Sequence, residues 1–254
     1  CAVNTSKPSR TIFPTFTREY RYDKRSRKTL EQDILGVGET YTTWYAYDST
    51  GNLISKTDRE GRTTTYEYDE LKRLVRVTDP LNGQTVYTYD NRDNLISLTD
   101  AKGNTTSFAY DRNNRLAKET RPLGQETSYQ YDENGRLIRK TDAKGQRIEY
   151  GYDDSGRMVQ IRHYAASGTL AKTIALTYDN VGNLKTYNDG TTSAVYDYDD
   201  VSRKIQETVN YGAFSLTTSS SYNKNGTKKS FTYPGGVTID YAYNGNNQPL
   251  GMNI

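Results

Sequence analysis

One cysteine, one histidine and one tryptophan are all that this 254-residue chain holds of those three residue types. A single cysteine excludes an internal disulfide framework and any multi-cysteine metal site. Long apolar runs are missing too. No stretch approaches the roughly 18 consecutive apolar residues that mark a membrane-spanning helix. Neither sign of charge dominates: 34 Lys and Arg stand against 31 Asp and Glu, a net charge of +3. With a pI of 8.7, that balance gives no strong pull toward nucleic acid. Aliphatic residues are scarce. Leu, Ile, Val and Phe make up about 17% of the chain, below the roughly 20% that ordinarily warns of disorder. Disorder also needs a high net charge, which is lacking here. What the chain does have is 24 tyrosines, each able to bury roughly 150–250 Å² when its hydroxyl finds a partner. The chain folds, but not around a thick aliphatic core.

The tyrosines are periodic. Tyr-Asp pairs stand at Tyr47, Tyr68, Tyr89, Tyr110, Tyr131 and Tyr152, each 21 residues after the last. Tyr178-Asp179, Tyr198-Asp199, Tyr222-Asn223 and Tyr243-Asn244 continue the series, and Tyr22-Asp23 precedes it. A full unit runs from Tyr131 to Gly151 and contains two Asp-x-x-Gly tetrads, Asp132 to Gly135 and Asp142 to Gly145. Aspartate at the first turn position accepts backbone N–H bonds, and glycine at the fourth takes a positive φ without steric cost. The tetrads therefore predict type I turns closing short hairpins, with a bulge at the glycine. Pro80-Leu81-Asn82-Gly83 reads as a further turn. In the first unit Asp33-Ile34-Leu35-Gly36 takes the place of the second turn, and the basic run Lys24 to Lys28 replaces Gly-Arg-Leu.

Between turns lie runs of period-two pattern, such as Thr64, Tyr66 and Tyr68 on one face. No ten-residue stretch has helical periodicity. The fold class is all-β: one long antiparallel meander of two-stranded repeats that curls into an open or spiral shell. Stacked units place Tyr beside Tyr and Leu beside Leu in neighbouring strands, and stability comes from neighbour-to-neighbour contacts. Residues 1–19 are expected to be a tether or capping segment. Residues 20–254 form about ten repeats, regular over 47–152 and degenerate at the ends. The unit from Tyr152 is five residues longer around Ala165 to Gly168, which predicts an extended hairpin.

The pattern Tyr-Asp-x-x-Gly-(Arg or Asn)-Leu followed by Thr-Asp-x-x-Gly resembles the YD repeats of the RHS family. The resemblance covers nearly all of residues 22–247. It implies a β-strip wound into a hollow shell, which in bacterial polymorphic toxins and toxin complexes encloses a toxic domain. In wall-associated bacterial proteins and teneurins the repeats lie outside the cell. Family toxins also carry a self-cleavage motif of Asp-Pro-x-Gly type. Pro249-Leu250-Gly251 is a poor match to it, so neither self-cleavage nor an attached payload is expected of this chain. About 20 strands at about 4.8 Å spacing make a strip roughly 95 Å long, about 30 Å across if closed once. A 100-residue payload, with a radius of gyration of about 13 Å, does not fit inside such a ring. Alone, the chain is expected to be a short coil or open curved sheet.

Chemistry is sparse. His163 has no nucleophile-elbow motif near it, and a Cys1–His163 pair lacks a supporting motif. The aspartates are accounted for by turns rather than by a facing carboxylate pair. Asp153-Asp154 and Asp199-Asp200 belong to no recognisable calcium loop. The residues read as a non-enzyme, with no catalytic residue, metal or cofactor. Aromatics outside the repeat, Trp44, Tyr164, Tyr211 and Phe214, are the candidates for binding a ligand such as a glycan. The segment from Cys1 to Ser9 looks like the start of a mature bacterial lipoprotein, which makes Cys1 a candidate lipidation site and its lipid the one contact with a membrane. The functional expectation is a structural shell module of a secreted or cell-envelope protein, partnered by another polypeptide or toxin payload. The alternative is a surface adhesin that binds glycans.

Overall fold

The computed structural model describes residues 9–36 and 38–254, so Cys1 lies outside the described residues. The chain is all-β and every strand pairing is antiparallel. It divides into two units, residues 1–126 and 127–254. In the first, β1 (Arg10–Ile12), β2 (Thr17–Tyr22), β3 (Lys28–Gly36) and β4 (Glu39–Tyr47) lead into the regular repeats. These are β5 (Leu53–Thr57), β6 (Thr63–Tyr68), β7 (Leu74–Thr78) and β8 (Gln84–Tyr89). The unit goes on with β9 (Leu95–Thr99), β10 (Thr105–Tyr110) and β11 (Leu116–Arg121). A single 3₁₀ turn, Pro122–Gly124, follows.

The second unit opens with β12 (Gln125–Tyr131), which starts just ahead of the boundary, then β13 (Leu137–Thr141) and β14 (Arg147–Tyr152). Next come β15 (Met158–Tyr164), β16 (Leu170–Tyr178), β17 (Leu184–Asn188) and β18 (Ser193–Tyr198). It ends with β19 (Lys204–Asn210), β20 (Ser215–Tyr222), β21 (Lys228–Thr232), β22 (Thr238–Tyr243) and β23 (Pro249–Asn253). Within each unit successive strands pair in chain order. Neither unit closes into a barrel: among the described residues β1 pairs only with β2 and β23 only with β22.

The turns explain the meander. Asp132 accepts the Gly135 N–H at 3.1 Å and donates its own N–H to the Arg136 carbonyl at 3.0 Å, with Gly135 at φ 83°. This is a type I turn followed by a left-handed residue that forms a bulge, the three-residue loop expected of such hairpins. Where glycine is missing, Ser26, Lys72, Asp93, Asn114 and Ser202 hold the same left-handed position at φ 60–66°. A bulge falls just before the tyrosine of each pair, as between Glu67 and Tyr68 and between Gly151 and Tyr152.

Three sequence expectations are corrected. Asp33 to Gly36 is not a turn. It is the end of β3, where Asp33 pairs across to Tyr41, and the hairpin closes beyond Gly36. The Pro80 turn starts one residue earlier: Asp79 accepts the Asn82 N–H at 3.0 Å, Asn82 is the left-handed residue, and Gly83 stands where other corners carry Arg or Asn. Nor does Tyr lie beside Tyr. Tyr66 faces Val77, Tyr87 faces Leu98 and Tyr150 faces Ile161, because the return strand of each repeat separates successive tyrosines by two strand spacings, about 9.6 Å.

The basic run after Tyr22 forms an ordinary corner, Asp23 to Arg27. Residues 10–12 and 17–22 are already strands of the first unit.

There is almost no core. Ala194, 5% exposed, is the only buried hydrophobic residue described; the strand faces are mostly half-buried or exposed. Local backbone geometry therefore carries an unusual share of the stability. Gly135→Val puts a β-branched residue at φ 83° and is expected to lower the unfolding free energy by about 1–3 kcal/mol. Glu133→Ala in the same turn is expected to change it by less than about 0.5 kcal/mol. Equal urea midpoints for the two variants would refute the turn geometry.

Candidate functional site

The recurring Tyr-Asp corner is the most densely bonded feature of each unit. At Asp69, Oδ1 accepts the backbone N–H groups of Leu71 and Arg73 at 3.0 and 2.9 Å, while Oδ2 accepts Arg73 Nε at 2.7 Å. The same guanidinium reaches the next corner. Arg73 Nη1 donates to the Asp90 carbonyl at 3.0 Å, and the group lies 4.8 Å over the Tyr89 ring. Arg136 repeats the arrangement toward Asp153 and Tyr152, Arg157 toward Asp179 and Tyr178, and Arg203 toward Asn223 and Tyr222. Elsewhere asparagine takes the place of arginine: Asn94 Nδ2 bonds Asp90 Oδ2 at 2.9 Å and Asn114 Oδ1 at 3.2 Å.

The tyrosine closes the corner from the other side. The β5–β6 ladder ends at the pair Ser55–Thr65, and the Leu53 carbonyl beyond it accepts the Tyr68 hydroxyl at 3.0 Å. Tyr89, Tyr110 and Tyr152 make the same bond to Leu74, Leu95 and Leu137 at 2.8–3.0 Å. Burial raises the pKa of each of these phenols above the ordinary value.

These carboxylates are fixed as anions. At Asp69 and Asp111 the N–H of the fifth corner residue, joined by its guanidinium, pulls the carboxyl below its usual range against the opposing effect of burial. At Asp48 burial raises the value, but the Asn52 N–H, the Thr50 hydroxyl and the Gly51 N–H outweigh it and bring it down to about 2. An acid held charged and saturated with donors is a poor proton shuttle near neutral pH. Asp153 and Asp199 likewise give their carboxylates to their own turns and to Arg157 and Arg203. No group of three His, Cys, Asp or Glu able to hold a metal occurs among the described residues.

The binding candidates are scattered. Trp44, 47% exposed, lies on β4 opposite Leu30 and Thr57. Tyr164 ends β15 half-buried, its ring 3.9 Å from the Arg147 guanidinium. Tyr211 and Phe214, 48% and 57% exposed, stack at 5.2 Å on the tip between β19 and β20. Tyr211 and Tyr164 belong to hairpins four strands apart, roughly 19 Å, so they do not converge. His163 is half-buried in β15 between Ile148 and Lys172.

Sequence reasoning missed a second aromatic tip. Phe13 and Phe16 stack at 4.4 Å, beside the Arg18 guanidinium. The signal was an aromatic pair spaced i, i+3: Phe13 donates its N–H to the Phe16 carbonyl as Tyr211 does to Phe214, both at 2.9 Å.

A meander of bulged two-stranded repeats, joined corner to corner, defines a β-strip repeat protein. The RHS repeat family model matches five overlapping stretches: 47–83, 68–105, 89–126, 110–146 and 131–170. Residues 47–170, just under half of the chain, match RHS repeats. No curated protein matches it in sequence. In fold it is similar to the TcdB2-TccC3-TEV crystal structure, with a TM-score of 0.58 and 17% identity over 96% of this chain. It is similar also to the Photorhabdus luminescens Tc holotoxin pore with a TccC3 D651A mutation, at 0.57 and 16% over 97%. The TcdB2-TccC3-Cdc42 structure gives 0.56 and 15% over 92%. The chain spans 16%, 16% and 20% of those three chains respectively.

The corner carboxylates make stability pH-dependent in a defined direction. A carboxyl whose folded pKa lies below its unfolded value stabilises fully above the unfolded value, near 3.9, and loses that contribution as pH falls through the folded one. For Asp48 the window runs from about 4 down to about 2. Urea midpoints measured from pH 6 to pH 2 should drop mainly in that window, and the drop should be smaller in Asp48→Asn. A main loss between pH 7 and 5, or an unchanged acid slope in the variant, would contradict the corner geometry.

Proposed function

We propose that this chain is a non-catalytic structural module, a segment of RHS-type wall in a protective or encapsulating shell. The shell would belong to a secreted or surface-exposed bacterial toxin-type protein, and its partner would be another polypeptide. The single observation that carries this reading is the ladder of Asp–Arg–Tyr corners. It binds repeat to repeat through backbone carbonyls and leaves both faces of the strip without a core of their own. A strip built in this way suits a wall, whose faces are completed by what it encloses or adjoins. The likeness in fold to the TcdB2-TccC3 structures supports it.

Purified from its native source, the wall is expected to come with a further polypeptide segment, covalently attached or not. That segment should resist protease while the wall is intact and be digested once urea opens it. A native preparation in which mass spectrometry finds no such segment would sink the proposal.

A second reading, a glycan-binding surface, is favoured by Trp44. Its exposed ring lies opposite Thr57, whose hydroxyl is 2.8 Å from that of Thr63, so an aromatic plane adjoins a polar hydroxyl row. On a glycan array, Trp44→Ala should then lower binding at least about tenfold, the loss of roughly one good stacking contact. Undiminished signal in that variant would remove the reading.

A further inference from the structure

The lengthened hairpin of β15 and β16 borders a pocket of about 310 Å³, at the small end of ligand sites. Its apolar lining comes from Ile148, Ala165 and Ala171, Tyr164 borders it, and its charged residues are Lys140, Arg147 and Asp142. His163, the chain's one histidine, completes the wall. Cross-strand pairing puts Lys140 opposite Ile148, Ile148 opposite His163, and His163 opposite Lys172, in one row across four strands.

The charges around the pocket are unequally matched. Lys172 is paired with Asp189 at 2.7 Å. Arg147 shares the Glu149 carboxylate, at 3.2 Å, with Arg139, at 2.8 Å, so one anion serves two guanidiniums. Lys140 lies 5.8 Å over the Tyr129 ring and makes no ion pair with any described carboxylate. Asp142, the one acid in the lining, already accepts the Lys144 and Gln146 N–H groups at 2.9 Å. A cation without a carboxylate partner and an imidazole thus flank Ile148 on one face of the sheet.

We propose that this pocket binds a carboxylate carried on a body no larger than one monosaccharide, with Lys140 as its principal partner and the aliphatic floor of Ile148 and Ala171 holding the remainder. A free sugar acid and the acidic side chain of a peptide both present that chemistry. The site lies at the turn edge of the second unit, apart from the Tyr-Asp corners.

The test uses the intact chain and the ring signals of His163, unambiguous because no other histidine is present. Sodium glucuronate and N-acetyl-glutamate N-methylamide are titrated, with glucose and the matching glutamine derivative as neutral controls. The proposal expects saturable shifts of the His163 ring and of the Ala165 and Ala171 amides with either carboxylate, at a midpoint of about 1–10 mM, and none with its neutral counterpart. The tighter of the two carboxylates identifies the source. Lys140→Gln should raise the midpoint at least about tenfold. Arg162→Gln, an exposed position of β15 outside the pocket lining, should leave it unchanged. Equal shifts with the neutral compounds, shifts that do not saturate, or an unaltered midpoint in Lys140→Gln would each overturn it.

Discussion

A guanidinium held between two corners is the interaction on which the rest of this fold depends. Arg73, Arg136, Arg157 and Arg203 each bind the aspartate of their own turn, then lie over a tyrosine ring and donate to a carbonyl of the next corner. Each contact is partly solvated, so alone it contributes little. It gains weight by recurrence, because each such arginine ties its repeat to the next and the contributions add along the strip. Lysine would not replace arginine here. A point charge cannot satisfy Nε and Nη1 contacts at a fixed angle while also lying flat on a ring.

This dependence follows from the missing core. With Ala194 the one buried hydrophobic residue described, the strip has little of the interior packing that stabilises ordinary domains. Hydrogen-bonded ladders, hydroxyl pairs such as Thr99–Thr105 at 2.8 Å, and the half-buried layer of Tyr66, Val77, Tyr87 and Leu98 share the task. Such a layer gains further burial when another surface covers it. The composition agrees: few aliphatic residues, many tyrosines, and hydroxyl-bearing side chains in place of a second apolar face.

Much of the fold was legible in the sequence because its signals are local. A 21-residue spacing, Asp at the first turn position and Gly at the fourth specify hairpins without reference to anything distant. What escaped was set by neighbours. Asp33 carries the turn signature yet lies in a strand, where Arg18, directly opposite on β2 and 15 residues earlier, binds its carboxylate. Asn82, not Gly83, takes the left-handed position because Asp79 starts that turn. Where a repeat tyrosine is stacked on an arginine of the preceding corner, as at Tyr89, Tyr152 and Tyr178, that partner lies 16 to 21 residues away and has no short-range signal. The exposed aromatics were readable as departures from the period. That Tyr164 is occupied by Arg147 while Tyr211 and Phe214 stand free on a tip depends on cross-strand register, which single-sequence spacing does not supply.

The two edges of each unit therefore differ in what they are free to do. Along one edge every turn follows an even-numbered strand, begins with Asp or Asn, and transmits the corner ladder to the next repeat. A substitution there is felt by two repeats at once. The turns of the other edge only join the two strands of a hairpin, and their first residues range from Asp58, Asp79, Asp100, Asp142 and Asp189 to Phe13, Ala165, Tyr211 and Tyr233. On that edge lie the Phe13–Phe16 and Tyr211–Phe214 tips, the fully exposed Leu123 and the pocket beside His163. A wall that varies only where its own integrity is not at stake can acquire specific contacts without weakening the strip. The tyrosine corners hold the strip together, and the hairpin tips are left free of that task.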